Sequence, residues 1–156
     1  MLQETLSSKS ILEIGCGIGL PSIVLQYLGG NITASDYHPL AAPFLLENTS
    51  LNNLAPIPFK TGNWSTDNLH LGQFDLIIGS DVLYEHQHIE LLSSFINQHT
   101  NGRADIIIVD PGRGSHHRFA RAMEALGYAH SWTDLRDYPI LGAKPKGLIL
   151  RFSRLS

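Results

Sequence analysis

The sequence predicts an α/β fold built on an open, mainly parallel sheet with helices on both faces. Three observations carry this. Short apolar runs alternate with stretches of helical spacing along most of the chain. Several runs are continuously apolar, as in strands covered on both sides. The last two runs follow one another with no helical pattern between them, which allows antiparallel neighbours.

In order along the chain, residues 11–14 (Ile-Leu-Glu-Ile) read as a strand ending at Gly15. Residues 20–28 read as a helix with Ile23, Val24 and Tyr27 on one face. A second strand, 31–35, closes at Asp36, and a helix over 40–51 turns Leu45 and Leu46 inward. Residues 57–61 form a third strand, placed at an edge by Pro56 and Pro58, since proline offers no N–H to a ladder. Residues 74–79 are a strong strand. The spacing of Leu91, Leu92, Phe95 and Ile96 predicts a helix over 89–98. Residues 106–109 are the most apolar strand and are expected at the centre. A helix over 116–126 stops at Gly127, and strands over 129–135 and 148–152 complete the chain. There is no repeat, low-complexity tract or linker, so residues 1–156 read as a single domain.

Composition narrows the function classes. A chain of 156 residues and 17.2 kDa is one domain's length, enough to bury roughly 70% of its extended surface. An apolar content of 43% with 16% charged residues excludes general disorder. A net charge of −3 and a pI of about 6.2 give no global attraction to nucleic acid or anionic lipid. The single cysteine, Cys16, excludes an intrachain disulfide and a Cys-rich zinc site, and suits a reducing compartment. No apolar run approaches the roughly 20 residues of a membrane helix. Residues 1–10 are polar, with no signal-peptide core. The expectation is a soluble, cytoplasmic protein with no membrane partner.

The chemistry concentrates in Glu13-Ile14-Gly15-Cys16-Gly17-Ile18-Gly19-Leu20-Pro21, which follows a strand and opens a helix. Alternating glycines let the backbone turn tightly and a ligand approach the main chain. In an open α/β sheet this loop lies at the ligand-binding end of the strands. The dinucleotide fingerprint is G-x-G-x-x-G, whereas here the order is G-x-G-x-G and Leu20 takes the third fingerprint position. Glu13 suits an ammonium better than a phosphate. Asp36, at the end of the second strand, can accept hydrogen bonds from both ribose hydroxyls. Together these residues suggest S-adenosylmethionine. Each alone has a plainer reading: a structural turn, a turn-forming Asp36, and a Cys16 that is merely small enough for a tight loop.

The segment from Glu13 to Ser22 resembles the first motif of class I, seven-β-strand methyltransferases, and its Leu20-Pro21-Ser22 ending is similar to the branch containing protein lysine methyltransferases. Ser80-Asp81-Val82-Leu83-Tyr84-Glu85 resembles that branch's D-x-x-Y signature. Gly62-Asn63-Trp64 stands where the branch usually has Asp-Trp. Asp110-Pro111-Gly112-Arg113 is similar to bacterial members that resemble electron-transfer-flavoprotein methyltransferases. The resemblance runs from Ser10 to about Ser153. It implies a Rossmann-like, seven-stranded, mostly parallel sheet with an antiparallel C-terminal strand. It also implies methyl transfer from S-adenosylmethionine to a nitrogen, foremost a protein lysine side chain.

Carried over residue by residue, Glu13, Gly15, Cys16 and Gly17 would line the methionine end of the cofactor. Asp36 would hold the ribose, with Tyr37 near the adenine. Asn63 would meet the adenine amino group through its side-chain oxygen, with Trp64 as a wall beside the ring. Ser80 would contact the cofactor through its backbone. Asp81 and Tyr84, as the catalytic pair, would face the substrate amine. Family members usually carry an N-terminal segment that walls the substrate channel, and only Met1 to Lys9 precede the first strand here. A second subunit could lend that wall, so a homodimer is allowed. The rival readings are a non-catalytic S-adenosylmethionine-binding scaffold and a nicotinamide oxidoreductase. The latter lacks both the third glycine and a Tyr-x-x-x-Lys or His-based site. The Asn/Asp-Pro-Pro-Tyr/Phe motif of many nucleic-acid methyltransferases is absent, which argues against a nucleic-acid substrate. His86-Gln87-His88 and His116-His117 lack the cysteine or carboxylate set of a zinc site, so no metal is expected. Arg113, Arg118 and Arg121 form the one basic cluster, read either as a solvated face or as a surface for an acidic partner.

Overall fold

The computed structural model describes residues 6–66, 68–84, 88–138 and 145–154. Its strands are β1 (Ser10–Ile14), β2 (Asn31–Asp36), β3 (Phe59–Thr61), β4 (Phe74–Ser80), β5 (Thr100–Asp110), β6 (Ala129–Asp134) and β7 (Leu148–Ser153). Its helices are α1 (Leu20–Tyr27), α2 (Ala41–Leu51), α3 (Ile89–His99) and α4 (His116–Ala125). The strands form one sheet in the order β3-β2-β1-β4-β5-β7-β6. β1 to β5 pair in parallel, and β7 runs antiparallel between β5 and β6. The expected architecture, including the antiparallel C-terminal strand, is present. No helix among the described residues is long and apolar enough to cross a membrane.

This order places the crevice. The chain steps outward from β1 to β2 to β3, then returns across β1 to β4 and continues the other way. The connections leaving β1 and β4 therefore diverge at the carboxyl ends of these neighbouring strands, the usual ligand position in open α/β sheets.

Each face of the sheet carries its own core. On one side Leu12, Ile14, Ile77, Ile106 and Ile108 pack with Leu92, Phe95 and Ile96 of α3 and Phe119 and Met123 of α4. There Phe119 meets Phe152 edge to face, centroids 5.2 Å apart. On the other side Ile11, Ile32 and Ala34 pack with Ile23 of α1 and Ala41 and Leu45 of α2.

Three expectations are corrected. β4, not β5, is the middle strand; β5 lies one place further out, so apolarity marked an interior strand but not its rank. β5 alternates buried Ile106 and Ile108 with half-buried Ile107 and Val109, so its second face is only partly covered. α1 has Ile23, Val24 and Tyr27 along one groove, as its spacing predicts, but the buried residues are Ser22 and Ile23, while Val24 and Tyr27 are 47% and 75% exposed. In α2 Leu45 is buried but Leu46 points outward. Ladder pairing in β3 begins only after Pro58, and the strand lies at the sheet edge as expected.

Candidate functional site

The loops after β1, β2, β3 and β4 meet at one end of the sheet. Cys16 N–H donates to Ser35 O (3.0 Å) and ties the glycine loop to β2. Asp36 then locks that loop in place: its Oδ2 accepts from Gly17 N–H (2.9 Å) and its Oδ1 from His38 N–H (2.8 Å). Each carboxylate oxygen keeps acceptor capacity for a further donor. Two adjoining cavities open here. One, of about 260 Å³, is lined by Tyr37, Asn63, Trp64, Tyr84 and His88 among others. The second, lined by Gly15, Asp36, Asp81 and Val82, shares Tyr37, Trp64 and Tyr84 with the first.

Asp81 sits just past β4 in the left-handed backbone region (φ 55°), unusual for a residue with a side chain, with its N–H on Val109 O (2.8 Å). Val82 and Leu83 beyond it are buried and anchor the turn. Arg113 grips Asp81 with two bonds, Nε to Oδ1 and Nη2 to Oδ2, each 2.7 Å. This guanidinium holds the Asp81 carboxyl below its usual range.

Other expected site residues are placed less simply. Glu13 is 2% exposed, and its carboxylate turns into the first turn of α1, where Oε2 accepts from Ser22 N–H (2.9 Å) and from the Ser22 hydroxyl. Burial pushes its carboxyl up to about 7, despite the opposing Ser22 bonds. Cys16 is buried in the core beneath α1, and burial pushes its thiol up to about 12, so it offers the cleft backbone rather than a thiolate. Asn63 Oδ1, the atom expected to meet an adenine, already accepts from Ser65 N–H (3.0 Å) and Ser65 Oγ (2.8 Å). Tyr37 is 62% exposed at the cleft mouth, and Ser80 is exposed at the end of β4. Trp64 is partly buried against the α3-side core.

Sequence reasoning missed three participants. Ser22 satisfies Glu13, Asn68 braces the Asn63 turn through Oδ1 to Asn63 N–H (3.0 Å), and Arg113 pairs with Asp81. Ser22 and Arg113 had a signal, their places in Leu20-Pro21-Ser22 and Asp110-Pro111-Gly112-Arg113, and Asn68 had none. The basic cluster is divided, because Arg113 binds Asp81 while Arg118 binds Glu90. Of the histidine pairs, His86 lies outside the described residues, and no metal-holding cluster occurs among those described.

The cleft suits a cationic nucleoside. Two aspartates and three aromatic side chains line the cavities, and no lysine or arginine does so among the described residues. A pyrophosphate would meet the Asp36 carboxylate, while the Arg113 guanidinium beside the cleft is already paired with Asp81. A sulfonium or ammonium beside an aromatic base meets complementary charge and a stacking wall. Gly15 and Gly17 let main-chain atoms approach such a ligand.

Comparison with known proteins agrees. The lysine methyltransferase family profile matches residues 1–125. The electron transfer flavoprotein beta subunit lysine methyltransferase of Danio rerio is 31% identical over 132 residues, covering 80% of this chain and 49% of that protein. The histone-arginine methyltransferase METTL23 of Xenopus laevis is 35% identical over 95 residues, covering 56% and 40%. The chain thus spans about half the length, or less, of these curated relatives. Among solved structures, a TehB-like SAM-dependent methyltransferase from Corynebacterium glutamicum superposes with a TM-score of 0.73 at 18% identity, covering 93% of this chain and 79% of that one. The shared fold, the profile match over most of the chain and the conjunction of the glycine loop with Asp81 and Tyr84 agree on one assignment: this chain belongs to the lysine methyltransferase family.

Proposed function

We propose that this chain transfers a methyl group from S-adenosylmethionine to a nitrogen, with a protein lysine side chain as the acceptor. The observation that carries the reading is the single cleft in which Gly15, Asp36 and Trp64 share walls with Asp81 and Tyr84. When bound, the sulfonium supplies a methyl carbon already activated for in-line displacement. The chain's own task is then placement. Asp36 accepts from the ribose hydroxyls while keeping the glycine loop closed through Gly17. Tyr37 and Trp64 flank the base. Glu13 holds α1 in position behind the methionine end through Ser22.

Asp81 and Tyr84 receive the acceptor nitrogen. Lysine has a reference pKa of about 10.4, so its amine must lose a proton before it attacks. Entry into the aromatic-walled cavity lowers that value by desolvation, and the proton passes to water. Asp81 orients the nitrogen and Tyr84 helps align its lone pair. The curated relatives, one named for lysine and one for arginine, support a protein nitrogen as acceptor.

The test is transfer of labelled methyl groups from S-adenosylmethionine into the proteins of a cell extract, with the modified residue read by mass spectrometry. Asp81→Ala is expected to abolish labelling while calorimetric affinity for S-adenosylhomocysteine stays within about threefold of wild type. Equal loss of both would refute the division between cofactor grip and acceptor placement.

A further inference from the structure

The Asp110-Pro111-Gly112-Arg113 run has no part in the cofactor contacts above, yet it delivers a cation onto the carboxylate assigned to the acceptor. Asp110 is fully buried at the end of β5. Its Oδ2 accepts from Gly112 N–H (2.8 Å) and Arg113 N–H (3.2 Å), closing a turn around Pro111. Gly112 adopts a φ of 90°, which this turn requires. The turn fixes the point from which Arg113 leaves the chain. Asp81 is fixed independently by its left-handed backbone and its bond to Val109 O. Adjacent strand ends, β4 and β5, therefore hold both halves of a two-bond fork. Such placement separates this pair from the Arg118–Glu90 pair, which joins two exposed helical side chains.

A lone carboxylate beside the acceptor has a cost for the chemistry. It stabilises the ammonium, and the ammonium is not a nucleophile. We propose that Arg113 is a positioning residue that cancels the charge of Asp81, so that Asp81 can orient the acceptor nitrogen without raising its pKa. This rests on the methyl-transfer reading. Bidentate pairing with the guanidinium leaves lone pairs on both Asp81 oxygens, so an amine N–H can still be accepted. The other titratable groups facing the pair, among the described residues, come from several elements. Asp36 and Tyr37 lie at the end of β2, and Tyr84 lies past β4. Asp110 at the end of β5 acts on Arg113, and His116 of α4 faces Asp110 in turn. His88, before α3, lines the adjoining cavity. Asp36 and Asp110 add negative charge, and no lysine or arginine is among the described residues lining the cleft, so removal of Arg113 takes away the cation paired with Asp81. For half-exposed groups about 5 Å apart, an effective dielectric between bulk water and half that value gives a shift of about 0.5 to 1 pH unit in the acceptor.

The probe is sinefungin, in which an amine-bearing carbon stands where the cofactor carries its methyl sulfonium. Its affinity relative to S-adenosylhomocysteine, measured by calorimetry from pH 6 to 10, reports the charge felt at the transfer position without any turnover. Arg113→Gln is expected to raise the sinefungin preference about 3- to 10-fold at neutral pH. It is also expected to move the pH at which that preference fades upward by about 0.5 to 1 unit. Arg113→Lys keeps the charge and is expected to stay near wild type. In labelled-methyl assays the pH–rate midpoint of Arg113→Gln moves alkaline by the same amount. Arg113 is half exposed, so these variants leave both cores intact. An unchanged preference in Arg113→Gln, or equal behaviour of the Gln and Lys variants, overturns the proposal. Faster transfer by Arg113→Gln at neutral pH also overturns it, since Arg113 would then be blocking the acceptor. Failure of wild type to bind S-adenosylhomocysteine strikes the cofactor reading instead.

Discussion

Replacing Glu13 by Gln separates the electrostatic cost of this site from its packing. The Glu13 carboxyl is 2% exposed and bonded to Ser22, and burial raises it from an ordinary 4.5 to about 7. Between those values the folded protein holds a proton that the unfolded chain has released. Stability therefore falls as pH rises from about 4.5 to about 7, and the loss is complete above the folded value. The shift corresponds to about 3 kcal/mol as an upper bound. Gln fills the same space and still accepts from Ser22 N–H, but carries no charge. Urea unfolding at pH 4.5 and pH 8 checks this. The two proteins should agree within about 1 kcal/mol at the lower pH, and Glu13→Gln should be more stable by up to about 3 kcal/mol at the higher one. A stability difference that does not change with pH would mean that Glu13 titrates alike in the folded and unfolded chain.

Two further substitutions separate site from scaffold. Gly15 has a φ of 59°, and a Cβ there would lie 3.0 Å from Val82 Cγ1. Gly15→Ala should cost about 1–3 kcal/mol in urea unfolding and weaken S-adenosylhomocysteine in calorimetry at least tenfold. Phe119 is fully buried against Phe152 in the core beneath α3 and α4 and lines neither cavity of the cleft. Phe119→Ala should cost about 3–5 kcal/mol while the remaining folded protein binds S-adenosylhomocysteine as wild type does, read by calorimetry at a temperature where it stays folded.

Much of the architecture was legible because burial wrote itself into runs of apolar residues. Residues 74–79 and 106–109 announced interior strands, and the absence of a helix between the last two strands foretold their antiparallel pairing. Apolar spacing groups Ile23, Val24 and Tyr27 on one face of α1 but cannot show how deeply each is buried or that a polar residue turns inward. Ser22 is buried and meets Glu13, while Val24 and Tyr27 lie at the surface. β5 begins six residues before its apolar run, since Thr100 to Asp105 are largely polar and carry no strand signal. Within the site, the glycine loop, Asp36 and the Asp81–Tyr84 turn were visible as motifs at strand ends. The Arg113–Asp81 fork was not, because its partners are 32 residues apart and meet only once β4 and β5 are paired. The turn-forming role of Asn63 stayed hidden for a different reason: its oxygen is engaged locally by Ser65 and its backbone by Asn68, and a motif position does not show which side-chain atoms a turn has already taken.

Calorimetric titration of S-adenosylhomocysteine into wild type and Asp36→Ala puts the whole account at risk in one comparison. Wild type should bind one molecule per chain, and loss of the Asp36 carboxylate, which holds Gly17 and His38 as well as the proposed ribose, should weaken binding by at least tenfold. Equal affinity in the two proteins, or no binding by wild type at millimolar ligand, would contradict a nucleoside seated between the glycine loop and the end of β2.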